Sequence, residues 1–163
     1  SSDVCSSDLL EEVIGGALSS MAPSLKGHEV QLDLPDDIVL IKGDSTLLER
    51  VFTNLIENSL KYAGNCAPRG IRAWRAANRL EISVWDGGPG IAEGDLSRIF
   101  DKFWRGDKES AVPGVGLGLA ICKTIIESHG GQIWAENRTE GGAAFRLSLP
   151  LPPVPEISDD ELK

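Results

Sequence analysis

The chain has 163 residues, 41% of them hydrophobic and 25% charged, the composition of an ordinary globular domain large enough to bury a core. Its net charge of −9 at pH 7 argues against a nucleic-acid or anionic-membrane surface, which needs clustered Lys and Arg. Cys5, Cys66 and Cys122 lack C-x-x-C spacing and accompany only two histidines, so neither a disulfide framework nor a zinc site is supported; a reducing, cytoplasmic setting follows, and no apolar run reaches the length of a membrane span.

The opening SSDVCSSDL nearly repeats itself without usable periodicity, and residues 1–9 read as a non-native leader. A helix is predicted from Leu10 to about Met21. His28 to Leu34 alternates with Val30, Leu32 and Leu34 on one face, which predicts a strand, and Ile38 to Ile41 predicts a second. From Asp44 the period lengthens: Leu47, Leu48, Val51, Phe52, Leu55, Ile56 and Leu60 recur at helical spacing, Thr46 and Glu49 have capping-box spacing, and Gly64 stops the run. Residues 70–76 and 79–85 predict a hairpin turning at Ala77 and Asn78. A Gly-, Pro- and charge-rich stretch from Gly87 to Gly116 follows, with a short helix near Leu96 to Phe100. A helix then runs from Gly116 to His129 and stops at Gly130 and Gly131. Gln132 to Asn137 and Ala143 to Leu149 predict a closing hairpin, and residues 151–163 an acidic, flexible tail.

Helices interspersed with hairpins predict an α+β fold over residues 10–150, a two-layer sandwich with a mixed sheet covered by helices on one face. The loop of about thirty residues is too long for a simple connection and reads as a lid or binding loop.

Three features carry chemistry. On the Asp44 helix, Asn54, Asn58 and Lys61 stand at i, i+4 and i+7, so two amides and an ammonium share one ridge. A solvated helix face would look similar, but asparagines are poor helix formers, and an amide oxygen suits Mg²⁺ while Lys61 suits phosphate. In the second hairpin strand Leu80, Ile82 and Val84 share a parity that Asp86 continues, which sends a carboxylate toward the covered face. Such a carboxylate either caps its own turn over Gly87 and Gly88 or accepts from a ligand amine, with Gly88 and Gly90 admitting the ligand to the backbone. Gly114, Gly116 and Gly118 precede a helix whose N–H groups would hold an anion; a hinge is the plainer alternative. Lys123 reads as an exposed side chain.

The order of these segments resembles one family. NLIENSLKY (54–62), DGGPG (86–90), FDKFWR (100–105) and GVGLGL (114–119) are similar to the N, G1, F and G2 boxes of the sensor histidine kinase ATP-binding domain, over roughly residues 10–150. The resemblance implies the Bergerat α/β sandwich with a long ATP lid, ATP and Mg²⁺ as ligands, and phosphoryl transfer to a histidine on a separate dimerisation domain. A response regulator would be an indirect partner, and this segment would touch no membrane. Asn58 would ligate Mg²⁺; Asn54, Asn58 and Lys61 would act on the phosphates, with Tyr62 on the nucleoside. Asp86 would accept from the adenine amino group, with Gly88, Gly90 and Ile91 beside the base. Phe100, Phe103 and Arg105 would belong to the lid, and Gly114, Val115, Gly116, Leu117, Gly118 and Leu119 would close it on the triphosphate.

Gly87 stands where many members have Asn, which implies a lost side-chain contact, a looser loop and weaker nucleotide binding. Neither His28 nor His129 has the setting of a phosphoacceptor. Two alternatives remain at this stage: an ATPase of the gyrase, Hsp90 or MutL type, with Glu57 as its only candidate for activating water, and a non-catalytic nucleotide-binding or docking module.

Overall fold

The structure, a computed structural model, describes residues 7–26, 28–64, 67–101 and 118–152. Strand β1 (Ser7–Leu9) passes directly into helix α1 (Leu10–Leu25). Part of the segment set aside as a leader is therefore in the fold: β1 pairs antiparallel with β3 (Leu40–Lys42), Ser7 opposite Lys42 and Leu9 opposite Leu40. Helix α1 runs one turn beyond its predicted end and contains Pro23. The apolar stripe explains the extension, because Met21 and Leu25 continue the buried series Leu10, Val13, Ile14 and Ala17.

Strand β2 (Gln31–Asp33) is shorter than the alternation predicts and pairs in parallel with Gly70–Arg72. Val30 and Leu34 pack against the core, but Leu32 is 49% exposed. Its neighbour across the pairing is the fully buried Ile71, so the parity is as expected and the cover runs out at the sheet edge.

Helix α2 (Ser45–Tyr62) is capped by Asp44, whose Oδ1 accepts from Leu47 N at 3.1 Å. The predicted Thr46–Glu49 box does not form the cap. Glu49 is engaged elsewhere: its carboxylate lies so close to α1 that a Cβ on Gly16 would come within 2.7 Å of Oε1. Leu48, Val51, Phe52, Leu55, Ile56 and Ser59 form the buried face, and Gly64, at φ +87°, ends the segment.

The hairpin falls as predicted, β4 (Arg69–Ala76) and β5 (Arg79–Asp86) joined through Ala77 at φ +57° and Asn78. After it, a 3₁₀ helix at Glu93–Asp95 opens a run of turns through the predicted 96–100, where Ile99 N donates to Asp95 O at 2.9 Å without building a longer helix. Ile99 and Phe100 follow it into the core. Helix α3 (Gly118–Ser128) ends one residue short of His129, and Gly130 takes φ +77°. The closing hairpin is β6 (Gln132–Asn137) and β7 (Ala143–Pro150).

The main sheet has the order β2-β4-β5-β7-β6, parallel only between β2 and β4. Leu80, Ile82 and Val84 of β5 and Phe145, Leu147 and Leu149 of β7 are buried and meet the stripes of α1, α2 and α3. At about 1.5–3 kcal/mol for each large apolar side chain removed from water, this single interface supplies the main driving force. The other face stays open yet is internally paired. Arg146 lies over Trp74 at 4.9 Å and Trp134 at 5.5 Å while its Nη1 donates to Glu136 at 3.2 Å, and Arg138 stacks on Trp85 at 4.3 Å.

Candidate functional site

The Asp86 end of β5 is where the sequence features converge. Asp86 continues the inward parity and is only 6% exposed. Its Oδ1 accepts from Gly88 N at 2.9 Å and from Ala143 N at 3.5 Å, so the carboxylate does cap its own turn. Neither bond uses Oδ2. The capping and ligand readings are therefore compatible, one on each oxygen.

Helix α2 closes on this point. A Cβ added to Gly88 would fall 2.5 Å from Ala63 Cβ and 2.7 Å from its Cα, so the backbone at position 88 lies directly on the residue after α2. Asn58 stands five residues before Ala63, about 7.5 Å along the helix at 1.5 Å per residue. Asn54 and Asn58 are half-buried, while Lys61 and Tyr62 are exposed. Asn54 Nδ2 donates to Gly118 O at 3.4 Å, which places the first described turn of α3 beside the amide ridge. The loop after Asp86 thus rests on the end of the helix that carries the Asn54–Asn58 ridge, and the start of α3 meets that ridge at Asn54.

The rest of the DGGPG loop is fastened from β6. Ile91 N donates to Asn137 Oδ1 and Asn137 Nδ2 donates to Ile91 O, both at 2.7 Å, a reciprocal pair that fixes the half-buried Ile91. Gly90 (φ +84°) also has Asn137 against it, with Oδ1 2.8 Å from where a Cβ would be. Phe100 is 8% exposed and meets Phe145 edge-on at 6.2 Å, so its ring packs in the core. Leu119 is equally buried, which leaves its backbone for any ligand. Phe103, Arg105, Gly114, Val115, Gly116 and Leu117 lie outside the described residues.

Sequence reasoning missed three residues here. Arg69 sits directly opposite Asp86 across the β4–β5 ladder and is buried; its identity gave no signal because arginine at a strand start reads as an exposed end. Arg138 Nη1 donates to Asp86 O at 3.1 Å and to Gly141 O at 3.2 Å, tying the β6–β7 turn to the end of β5. Asn137 looked like a strand terminus. Local spacing carries no trace of such long-range partners.

Lys123 is exposed, as expected. His129 is structural: Nδ1 is 2.7 Å from Ile125 O and so carries the proton, leaving Nε2 to accept from Asp44 N at 3.1 Å. No group of three or more His, Cys, Asp or Glu side chains suited to a metal exists among the described residues. An ion at Asn58 would therefore be held by a neutral amide oxygen, waters and the oxygens of a bound ligand, a donor set that suits Mg²⁺. A hollow of about 350 Å³ opens on the uncovered sheet face between Trp74, Trp85, Arg72, Arg138 and Arg146, away from Asp86 and Asn58. Its arginines already face Asp33, Glu140, Glu81 and Glu136.

Among the described residues a five-stranded mixed sheet lies under three helices, and the loop after a buried acid at one strand end rests on the end of the helix that carries the amides, the arrangement of a nucleotide-binding sandwich. The chain belongs to the family described as histidine kinase-, DNA gyrase B-, and HSP90-like ATPase, which matches it over residues 43–153. Among individual proteins, the sensor protein KdpD of Escherichia coli (strain K12) is 53% identical over 150 residues, covering 92% of this chain and 17% of that protein. KdpD of Clostridium acetobutylicum is 37% identical over 145 residues, covering 88% of this chain and 16% of that protein. The chain thus spans about a sixth of the length of these relatives. Among solved structures, the mycobacterial sensor histidine kinase MprB superposes with a TM-score of 0.81 at 27% identity, covering 93% of this chain and all of that one.

Proposed function

We propose that this chain is the ATP-binding catalytic domain of a KdpD-like sensor histidine kinase. It would bind Mg-ATP and donate the γ-phosphoryl group to a histidine on a separate dimerisation domain, from which a response regulator would then be served. The observation that carries this reading is the inward Asp86 with α2 pressed against its loop through Gly88 and Ala63. Asp86 Oδ2 accepts from the exocyclic amine of the purine while Oδ1 stays on Gly88 N, so the turn that shapes the pocket also orients its acceptor. Gly88 and Gly90 bring bare backbone beside the ring, with Ile91 against it and Tyr62 toward the nucleoside.

At the other end of the nucleotide, the amide of Asn54 and the ammonium of Lys61 orient the phosphates, and the N–H groups opening α3 meet their charge. Mg²⁺, held through Asn58 and the phosphates themselves, would supply charge neutralisation there. Phosphoryl transfer asks a protein mainly for position and electrostatics, and these residues supply both. Phe103, Arg105 and the segment Gly114 to Leu117 are assigned to the lid by resemblance. No described helix is long and apolar enough to cross a membrane, in keeping with a catalytic domain working in the cytoplasm.

Calorimetry with Mg-ATP on the wild type and on Asp86→Asn tests the site: binding should be measurable and weaken at least tenfold in the variant, since a hydrogen bond to a charged group contributes about 1.5–3 kcal/mol. A dimerisation domain from a KdpD-like kinase, supplied in trans with labelled ATP, should acquire label on histidine. Tight ATP binding with no transfer to any such domain would refute the kinase reading.

A further inference from the structure

Among the described residues the buried polar side chains are Ser59, Arg69, Asp86 and Ser148, and Arg69 and Asp86 are direct cross-strand partners. An arginine at a position that continues inward as Ile71 and Ala73 is costly, because taking a guanidinium out of water is penalised unless it is used. Part of that use is visible. Arg69 Nη2 donates to Gly64 O and, at 3.0 Å, to Ala67 O, so the side chain laces together the turn that leads from α2 into β4. That turn follows Ala63, the residue on which Gly88 rests.

The remainder of the guanidinium has no such use among the described residues, where Nε and Nη1 are buried without a hydrogen-bond partner. They carry three of its five N–H groups. Burial pushes the guanidinium pKa down and the charge of Asp86 pushes it back up, so the two groups act on each other electrostatically. Buried donors left unpaired are rare, and a pair of them beside a single inward carboxylate marks a site completed by something outside the chain, either bound water or ligand.

We propose that Arg69 is a positioning residue for the base, resting on the reading of Asp86 given above. Its unpaired donors reach the Asp86 carboxylate through a bridging water and fix how it is aimed, while Nη2 holds the segment behind it. The ligand class this selects is a 6-aminopurine nucleotide. A carboxylate accepts from a 6-amino group and repels a 6-oxo group, so the aim that Arg69 gives Asp86 sets how strongly ATP is preferred over its 6-oxo counterpart, inosine triphosphate. Without those donors, Asp86 would keep its place in the sheet but lose its aim.

The test is the ratio of ATP to inosine triphosphate affinity, measured by calorimetry on wild type, Asp86→Asn, Arg69→Met, Arg69→Lys and the double variant Asp86→Asn/Arg69→Met. Wild type should prefer ATP by about tenfold or more, the worth of one hydrogen bond to a charged acceptor. Asp86→Asn should erase the preference, Arg69→Met should cut it to within about threefold, and Arg69→Lys should restore much of it. The double variant should discriminate no worse than Asp86→Asn alone, because both act through one contact. Should Arg69→Met not fold, Arg69→Gln keeps an amide donor for the segment behind Asp86 but too few to serve the carboxylate as well, and reads the same ratio. If Asp86→Asn erases the preference but neutral Arg69 variants retain it in full, Arg69 serves the turn only and the inference is overturned. If Asp86→Asn itself keeps the wild-type ratio, the base reading of Asp86 fails and takes this inference with it.

Discussion

Pro68 leaves no room for a side chain at Gly87: a Cβ there would lie 2.7 Å from Pro68 Cγ and 3.0 Å from Cδ, while Gly87 N donates to Pro68 O at 2.8 Å. The glycine that departs from the common family pattern is thus accommodated by a rigid ring beside it, and the loop is tied where the sequence suggested looseness. Restoring the usual residue with Gly87→Asn should destabilise the domain by about 1 kcal/mol, because the rigid Pro68 ring stands where the new Cβ must go. Adding Pro68→Ala should recover much of that loss. Urea midpoints for the two variants and wild type decide this; a Gly87→Asn protein as stable as wild type would show that the ring gives way.

Gly142 is under a stricter constraint. It takes φ +91°, and a Cβ would overlap the Asp86 carbonyl, the same oxygen that accepts from Arg138. Gly142→Ala is therefore expected to cost about 3 kcal/mol or more, combining left-handed strain with a backbone clash. Because the clash falls on Asp86, nucleotide affinity should fall along with stability. An alanine variant with unchanged affinity and melting temperature would show that the β6–β7 turn does not position the acid.

Much of this architecture was legible in the sequence, and the limits follow from what local patterns encode. The β4–β5 hairpin, both partners of the closing hairpin and the body of α2 follow from alternation and 3.6-residue spacing, because each buries one face against the same core. The inward carboxylate came from parity alone, since one residue of slip would have turned Asp86 outward. The cap of α2 was misassigned because Thr46 and Glu49 satisfy the pairwise rule, while the Glu49 carboxylate lies instead against Gly16 of another helix. Arg69, Asn137 and Arg138 were invisible for the same reason: their partners lie far away in the sequence or across a strand ladder.

His129 joins the end of α3 to the cap of α2, its Nε2 accepting from Asp44 N. Gly43, at φ +146°, gives the imidazole its space, for a Cβ there would overlap the ring. His129→Ala removes the acceptor and leaves a void against Gly43, with an expected loss of about 1–2 kcal/mol. It should leave phosphoryl transfer in trans intact once the protein is folded, since the residue is a strut and its free lone pair is already engaged. Loss of all label on the supplied domain when this variant replaces wild type, with ATP binding preserved, would contradict that role.

Ser59 presents a buried hydroxyl without a partner among the described residues, one turn before Ala63 on α2. An unpaired hydroxyl is costly to bury, so Ser59→Ala should leave the nucleotide-free domain as stable as wild type or up to about 1 kcal/mol more stable. Thermal melts without nucleotide read this directly. A clear loss of stability would mean that the hydroxyl is satisfied within the protein.

Cys122 is fully buried in α3, with its thiol donating to Val51 O at 3.7 Å, and burial pushes its pKa up to about 12. The nucleophile in alkylation is the thiolate, so iodoacetamide at pH 8 should leave Cys122 unmodified in the folded domain and modify it in urea, as read by peptide mass mapping. The same shift makes stability depend on pH. The folded state favours the neutral thiol, whereas the unfolded thiol ionises near 9.0. The contribution is therefore complete below pH 9 and is lost as pH rises toward 12, with a limiting slope of about 1.4 kcal/mol per pH unit. Other groups titrate in this window too, so the measured quantity is the difference between wild type and Cys122→Ala. Above pH 9 the gap in unfolding free energy between the two should narrow with rising pH. A gap that stays constant to pH 11, or rapid native alkylation at pH 8, would place the thiol in contact with water.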